Sequence, residues 1–530
     1  MPRSQRSWAL LAATIALVIG LVAVLAAVVA VGSSGRAVGP AGAATPSAVA
    51  AGPTSATPTA TPTPDPPPAV CGSRGLRGPA RPPAGGVVVA TTEHLGRLTE
   101  ANPPGTTFWL SPGRHVLGDG QYDQVTPKEG NRYVGAPGAV LDGRRLNQYA
   151  FTGHARDVRI EHLTVERFGR RGTNSDEAVV NHDAGPGWVL AHLTVRDNAG
   201  AGVMLGDDGV VRDSCLADNG QYGFNAYSPE GVRDVTLRDN EISGNNTDDW
   251  EARTEGCGCT GGGKFWQTRG ATITGNSIHD NRGVGIWADT NNAGFLVRGN
   301  YFADNDDSAI VYETSYNAAI TDNTFVRNAL RSWRDAPGFP VAAVYVSESG
   351  SDARVDTAYN DTFEVARNLF VDNWGGVVAW ENADRFAGSP ANTSTGSTTL
   401  VNPRATVERC RTPDVIRRLP YLDDCRWKTQ HLRVHDNTFV FGAGDVGPGC
   451  TAANLCGFSG LLANYGSYPD WSPYLGPKVQ QAVALHQDNR WFDNTYRGPW
   501  RFLVVDQSTT VSWAQWQGAP YGQDRGSTIS

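Results

Sequence analysis

Two short stretches each place a carboxylate at the end of an apolar run. In Gly285 to Asn292, "GIWADTNN", it is Asp289; in Ala309 to Tyr316, "AIVYETSY", it is Glu313, twenty-four residues later. Two carboxylates held side by side can share a proton, act as general acid with base or nucleophile, or hold a cation. Retaining glycosidases set such a pair about 5–5.5 Å apart and inverting ones about 6.5–9.5 Å. Whether Asp289 and Glu313 meet depends on the element that carries them.

That element is legible as a repeat. "DNEISGN", "GNSIHDN", "GNYFADN", "DNTFVRN", "RNLFVDN", "DNTFVFG" and "DNRWFDN" align on Asn240, Asn276, Asn300, Asn323, Asn368, Asn437 and Asn489. Six of the seven carry a second asparagine five residues on: Asn245, Asn281, Asn305, Asn328, Asn373 and Asn494. Weaker copies end at Asn198 and Asn219. Residues between the asparagines alternate in polarity, as a short strand does. A second short strand, "GIWAD" or "AIVYE", begins about ten residues past the first Asn. Spacings of 24 and 23 residues suit coils of three short strands and three turns. One such coil cannot bury its apolar face, whereas stacked coils share a continuous core and their turn asparagines can bond up the stack.

The pattern resembles the right-handed parallel β-helix of the pectin-lyase-like superfamily, over roughly Gly85 to Phe502. The resemblance implies an all-β solenoid with an N-terminal cap and long inserted loops. It also implies an exported carbohydrate-active enzyme: a polysaccharide hydrolase, a lyase or a uronate epimerase. No catalytic motif of those enzymes stands in this sequence to choose among them.

In this register Asp289 and Glu313 lie thirteen residues past Asn276 and Asn300. The same column reads His182, Gly206, Tyr227, Lys264, Asp289, Glu313, Ser347 and Glu381, with Lys264 within a residue of it because an insertion blurs the count. Ile286, Ile310 and Val378 alternate with the column, so it is expected to point outward. Any solenoid has an outward polar column; adjacent like charges about 4.8 Å apart are what a plain surface does not explain. The next outward column holds Met204, Asn225, Trp287, Val311 and Tyr345. Catalytic candidates are Asp289, Glu313 and Lys264, the last also readable as a ligand of a substrate carboxylate or, most simply, as a counter-ion of Asp289. Substrate-binding candidates are Trp287, Tyr227, His182, Glu381, Tyr345 and Trp250. The alternative for the acids is a solvated face or a structural ion site, and for Trp287 a surface indole under a loop.

Insertions in solenoids tend to wall one face. "NNTDDWEARTEGCGCTGGG" would bring Asp248, Asp249, Trp250 and Glu251 over the Lys264–Glu313 region, or form a solvated acidic loop. Three chemistries remain open. Hydrolysis uses the acid pair with Trp287 as platform. Elimination or epimerisation uses Lys264 or Tyr227 as base, with Ca2+ held by carboxylates against a uronate. A non-catalytic glycan-binding or adhesin solenoid needs only the aromatics. "ADNDDS", Ala303 to Ser308, is a further candidate for Ca2+, with a solvated turn as its plain alternative. His279, His162 and His192 read as surface residues.

Composition narrows the setting. The net charge of −8 and a pI near 5.7, with no basic block in the body, argue against nucleic acid; a glycan partner is what the resemblance implies, and a monomer is expected. The acidity also leans toward a neutral glycan, hence hydrolysis. Residues 1–32 contain an apolar run from Trp8 to Val31 behind Arg3 and Arg6, expected as a single-pass membrane anchor with an extracellular body; a cleaved signal is the alternative. Residues 33–70 form a Pro/Thr/Ala-rich linker, 71–156 the N-terminal cap and first coils, 157–505 the β-helix and 506–530 a C-terminal tail. Eight cysteines suit an oxidising compartment. Cys410 with Cys425 and Cys450 with Cys456 read as local disulfides, while Cys71, Cys215, Cys257 and Cys259 stay unassigned.

Overall fold

Each repeat begins with a residue in the left-handed region. Asp239, Gly275, Gly299, Asp322, Arg367 and Asp436 precede the first-ladder asparagines with φ of 54–67°. Asp and Gly reach this conformation at the least cost, which explains the recurring "DN" and "GN". The chain bends there, and the asparagine that follows turns inward. The computed structural model describes residues 64–170, 180–254, 258, 261–334, 338–353, 355, 362–382, 427–464 and 481–530.

Two asparagine ladders run up the stack. Asn240, Asn276, Asn300, Asn323, Asn368, Asn437 and Asn494 are linked Nδ2 to Oδ1 at 2.9–3.1 Å. Asn198, Asn219, Asn245, Asn281, Asn305, Asn328 and Asn373 are linked likewise at 2.9–3.0 Å. The ladder amides also donate to backbone carbonyls of the preceding coil, as Asn300 does to Ile273 O and Asn323 to Val297 O, so backbone groups at the turns find partners. One alignment is corrected. Asn437 bonds Asn494, and Asn489 precedes the strand Arg490–Phe492 of a different sheet. "DN" marks a left-handed turn whichever strand follows it.

Among the described residues the strands form three long sheets. The first, of 13 strands, runs from Val87–Val89 to Arg490–Phe492. The second, also of 13, runs from Gly113–His115 to Thr528–Ile529. The third, of 10, runs from Val203–Leu205 to Thr510–Val511. Pairing between successive coils is parallel, apart from the antiparallel last pair of the third sheet. Inward side chains make one continuous core. Within it Phe302, Phe325, Phe370, Phe439 and Tyr496 stack at 4.5–5.2 Å between ring centres.

Both ends of the core are covered. The helix Leu95–Ala101 buries Leu95 and Thr99 beside the first strands. At the other end the helix Trp513–Gln517, held by a Ser512/Gln515 capping box, buries Trp516. Asp524 ends the first ladder: with no exposure it accepts from Asn494 at 2.9 Å, Trp516 at 2.6 Å, Tyr496 at 3.0 Å and Ser527 at 2.8 Å.

Near the N-terminal end Asp142 has no exposed side-chain surface and accepts from Arg114 at 2.5 Å, Arg167 Nε at 2.8 Å and the Arg144 N–H at 2.9 Å. Burial works against its charge, but the donors of Arg167, Arg144 and Arg114 outweigh it and hold the carboxyl below its ordinary value of 3.8. A folded-state value below the unfolded one stabilises above the unfolded pKa and is lost as pH falls through the folded one. The melting temperature is therefore expected to drop on acidification below about pH 4, and Asp142→Asn to remove much of that dependence. Melting curves from neutral pH downward check this; parallel pH profiles for parent and variant would rule Asp142 out as the source.

Cys71 pairs with Cys215, and Cys450 with Cys456 as expected. Cys257, Cys259, Cys410 and Cys425 lie outside the described residues. Beside Cys71, the Glu241 carboxylate accepts from the N–H groups of Val70 at 2.7 Å and Cys71 at 2.8 Å, and lies 3.5 Å from His279 Nε2. His279 is thus a partner in a clamp on the segment entering the body, rather than a plain surface residue. His162 and His192 stack on each other at 4.6 Å.

The expectation of a cell-membrane, single-pass protein is corrected. No helix among the described residues is long and apolar enough to cross a membrane. The apolar run from Trp8 to Val31 that prompted the expectation lies outside them. Within the body, apolar side chains are spent on the interior of short strands.

Candidate functional site

The outer face of the third sheet carries the acid pair. Along its strands Phe224, Phe265, Ile286, Ala288, Ile310 and Tyr312 belong to the core, so the residues between them point out. Ala288 lies beside Tyr312, which puts Asp289 next to Glu313; Glu313 lies beside Ser347. Sequence register and structure agree on this juxtaposition.

Lys264 sits one column over, beside Trp287, because the inserted loop shifts its strand by two residues relative to the expected register. Both columns share the outer face, and Lys264 reaches diagonally to Asp289, Nζ to Oδ2 2.8 Å, with side chains 16% and 12% exposed. Such limited solvent access makes this more than a surface pair. The other oxygen of Asp289 accepts from the N–H and hydroxyl of Thr290 at 2.7 and 3.0 Å. Lys264 also lies 4.2 Å from the centre of the Trp287 ring and donates to the Gly258 carbonyl at 3.0 Å, which Tyr222 shares at 3.1 Å. Gly258 has φ +56°, and a Cβ there would come within 2.6 Å of the Trp287 ring. Trp287 is therefore walled by Lys264 and Gly258 and is half-buried.

The strand Gly261–Phe265 that brings Lys264 here opens with three glycines. A side chain at Gly263 would overlap the Phe224 ring, its Cβ falling 2.0 Å from Cε1, so only glycine lets that ring fill the core at this level.

Glu381 is corrected. The turn after Asn373 is one residue shorter than its counterparts, which puts Val377, not Val378, on the core side and Trp380 beside Ser347. Val378 points outward. Glu381 is fully buried and accepts from Thr429 N at 3.1 Å and Gln487 Nε2 at 2.7 Å. It stands away from the outer column and holds the turn. Tyr345 packs against Phe339 and Trp380, closing the face beyond Ser347.

On the other side Tyr227 is 49% exposed. Trp250 is buried against Ala201, Met204 and Tyr222, so the inserted loop covers the face earlier in the stack than Glu313. Asp248 is buried, while Asp249 and Glu251 are exposed. His182 lies on the two-residue strand Asn181–His182 paired with Phe151–Thr152. In "ADNDDS" Asp304 pairs with Arg327 and Asp306 with Arg331, while Asp307 accepts from the Ser308 N–H, so these carboxylates serve turns and ion pairs. Among the described residues no group of three or more His, Cys, Asp or Glu side chains is arranged to hold a metal ion.

Residues 178–358 match the family model described as "Right handed beta helix region". With the parallel three-sheet stack this decides the architecture. The chain is a right-handed parallel β-helix. No curated protein matches it. Among solved structures it is similar to the A-module of the mannuronan C-5 epimerase AlgE6 of Azotobacter vinelandii, at 14% identity and a TM-score of 0.41, covering 65% of this chain and 87% of that one. It is also similar to a periplasmic alginate epimerase, AlgG, at 12% and 0.37 over 72% and 81%, and to the catalytic domain of a GH87 α-1,3-glucanase, at 9% and 0.40 over 86% and 69%. Likeness at these levels carries nothing about activity.

The β-helix register exposes a residue the sequence reading missed. Trp266 N donates to Ala226 O and Asp289 N to Phe265 O, each at 3.0 Å, so Tyr227, Trp266 and Asp289 follow one another in the column. Reading "GGGKFW" with Trp rather than Lys in register would have found it. Tyr222 and Gly258 act through a shared carbonyl that only the folded loop brings to Lys264.

Proposed function

We propose that this β-helix is an exported polysaccharide-cleaving enzyme, a glycoside hydrolase, with Asp289 and Glu313 as its paired carboxyls. One observation carries the reading: two acids from successive coils share an outer face, and one of them is oriented by Lys264 at 2.8 Å. A coil spacing of ~4.8 Å matches the separation of a retaining pair. Asp289, its charge met by Lys264, attacks the anomeric carbon as Glu313 protonates the leaving oxygen. Glu313 then takes a proton from the water that releases the sugar. Engagement of Lys264 by Asp289, Trp287 and Gly258 speaks against its serving as the base of an elimination. Tyr227, exposed in the same column, keeps elimination as the second reading.

Incubating the protein with soluble starch, xylan, galactomannan, polygalacturonate and alginate separates these. New reducing ends without ultraviolet absorbance of an unsaturated product are expected. Absorbance rising with the reducing ends would move the chemistry to elimination, and absence of both signals would remove the hydrolase and lyase readings.

A further inference from the structure

The candidate acids lie toward one end of an accessible strip. Beyond Ser347, which is fully buried, Val378, Trp380, Leu455 and Phe458 form a buried outer cluster that closes the face. Toward the N-terminal cap the inserted loop covers the neighbouring column at Met204, and the residues in register with the acids there are Trp266 and Tyr227. Trp266 is half-buried with its ring centre 5.7 Å from Lys264 Nζ, and Tyr227 is 49% exposed. Trp287, the aromatic that the sequence offers as a platform, has its ring engaged by Lys264 and Gly258.

We infer that Trp266 and Tyr227 form a stacking subsite for two successive pyranose rings on the N-terminal-cap side of the scissile bond. The inference rests on the hydrolase reading and adds where its substrate is gripped. Pyranose rings present apolar C–H faces that pack on aromatic rings. A sugar unit is comparable in length to the coil spacing of ~4.8 Å, so one ring per coil fits the column Tyr227, Trp266, Asp289, Glu313. The polymer then lies along the stack, with its longer bound portion toward the cap. Each ring follows directly on a strand, Tyr222–Ala226 for Tyr227 and Gly261–Phe265 for Trp266, so its Cα is fixed by the sheet and less entropy is lost on binding.

The test is retention of the intact protein in gels containing each of the five polysaccharides, for the parent and for Tyr227→Ala, Trp266→Ala and Trp266→Phe. For the polysaccharide that retards the parent, each alanine variant is expected to weaken retention roughly tenfold, or 1.4 kcal/mol. Trp266→Phe should stay near the parent, because a phenyl ring still stacks. Melting curves matching the parent show that the alanine variants are folded. Alanine variants retained like the parent would overturn the subsite, and so would a well-folded Trp266→Phe that loses retention. If Glu313→Gln still abolishes product in that case, the hydrolase reading stands without the subsite. A parent that neither binds nor cleaves any of the five removes both.

Discussion

Glu313→Gln is expected to lower the rate of polysaccharide cleavage by roughly 10^2–10^4-fold, the loss that follows removal of a positioned proton donor. The amide keeps the shape and polarity of the side chain but carries no transferable proton, so substrate binding should change little. The effect should fall on kcat, with KM nearly unchanged. Asp289→Asn should also abolish cleavage, yet it is the less clean test. It strips Lys264 of its carboxylate at a site where both side chains are less than one-fifth exposed. Leaving a cation there without its counter-charge costs stability as well as rate. A Glu313→Gln protein with parental kcat would exclude Glu313 as acid and leave the pair as surface charge. Loss of binding with kcat intact would instead make it a substrate contact.

Asn300→Ala is expected to destabilise the β-helix by about 3–5 kcal/mol, more than any surface change. Asn300 is 2% exposed and sits mid-ladder. Its Oδ1 accepts from the Asn276 backbone at 2.9 Å and side chain at 3.0 Å. Its Nδ2 donates to Ile273 O at 2.8 Å and Asn323 Oδ1 at 3.0 Å. Alanine leaves the Asn276 N–H without its acceptor and Ile273 O without that donor, inside a turn that water reaches poorly. Each such orphan costs about 1–3 kcal/mol. Because each coil touches only its neighbours, the damage should fray the stack around this coil as well as lower the midpoint. Denaturant titration followed by hydrogen exchange near residues 273–323 would show both. A shift below about 1 kcal/mol would mean that water replaces the ladder bonds.

The two predictions rest on parts of the molecule that were unequally legible. The ladder is local: a left-handed residue, mostly Asp or Gly, followed by an inward Asn recurs through most coils, so the turns and the stacked architecture could be read from spacing. The pairing of Asp289 with Glu313 was legible for the same reason, since both lie at a constant offset within uninterrupted coils. Glu381 was misplaced because one residue is missing from its turn, and period-two alternation converts a single-residue slip into a change of face. Lys264 slipped by two, which kept it on the outer face while moving it one column. Asn489 was misaligned because the "DN" signal reports a turn and not which sheet follows.

What the sequence by itself determined is the coil: its length, its asparagine turns, its inward Phe, Ile and Val, and the side-by-side acids on its outer face. These follow from backbone conformation and strand periodicity, which act over a few residues and repeat. Tertiary structure alone decided what surrounds the acids. Inserted loops of differing length are free of the repeat, and only folding brings Gly258 against Trp287, ties Tyr222 and Lys264 to one carbonyl, and leaves Tyr227 exposed with Trp266 half-buried beside it. Such contacts join residues whose separation in the chain carries no period, so no pattern along the sequence could encode them.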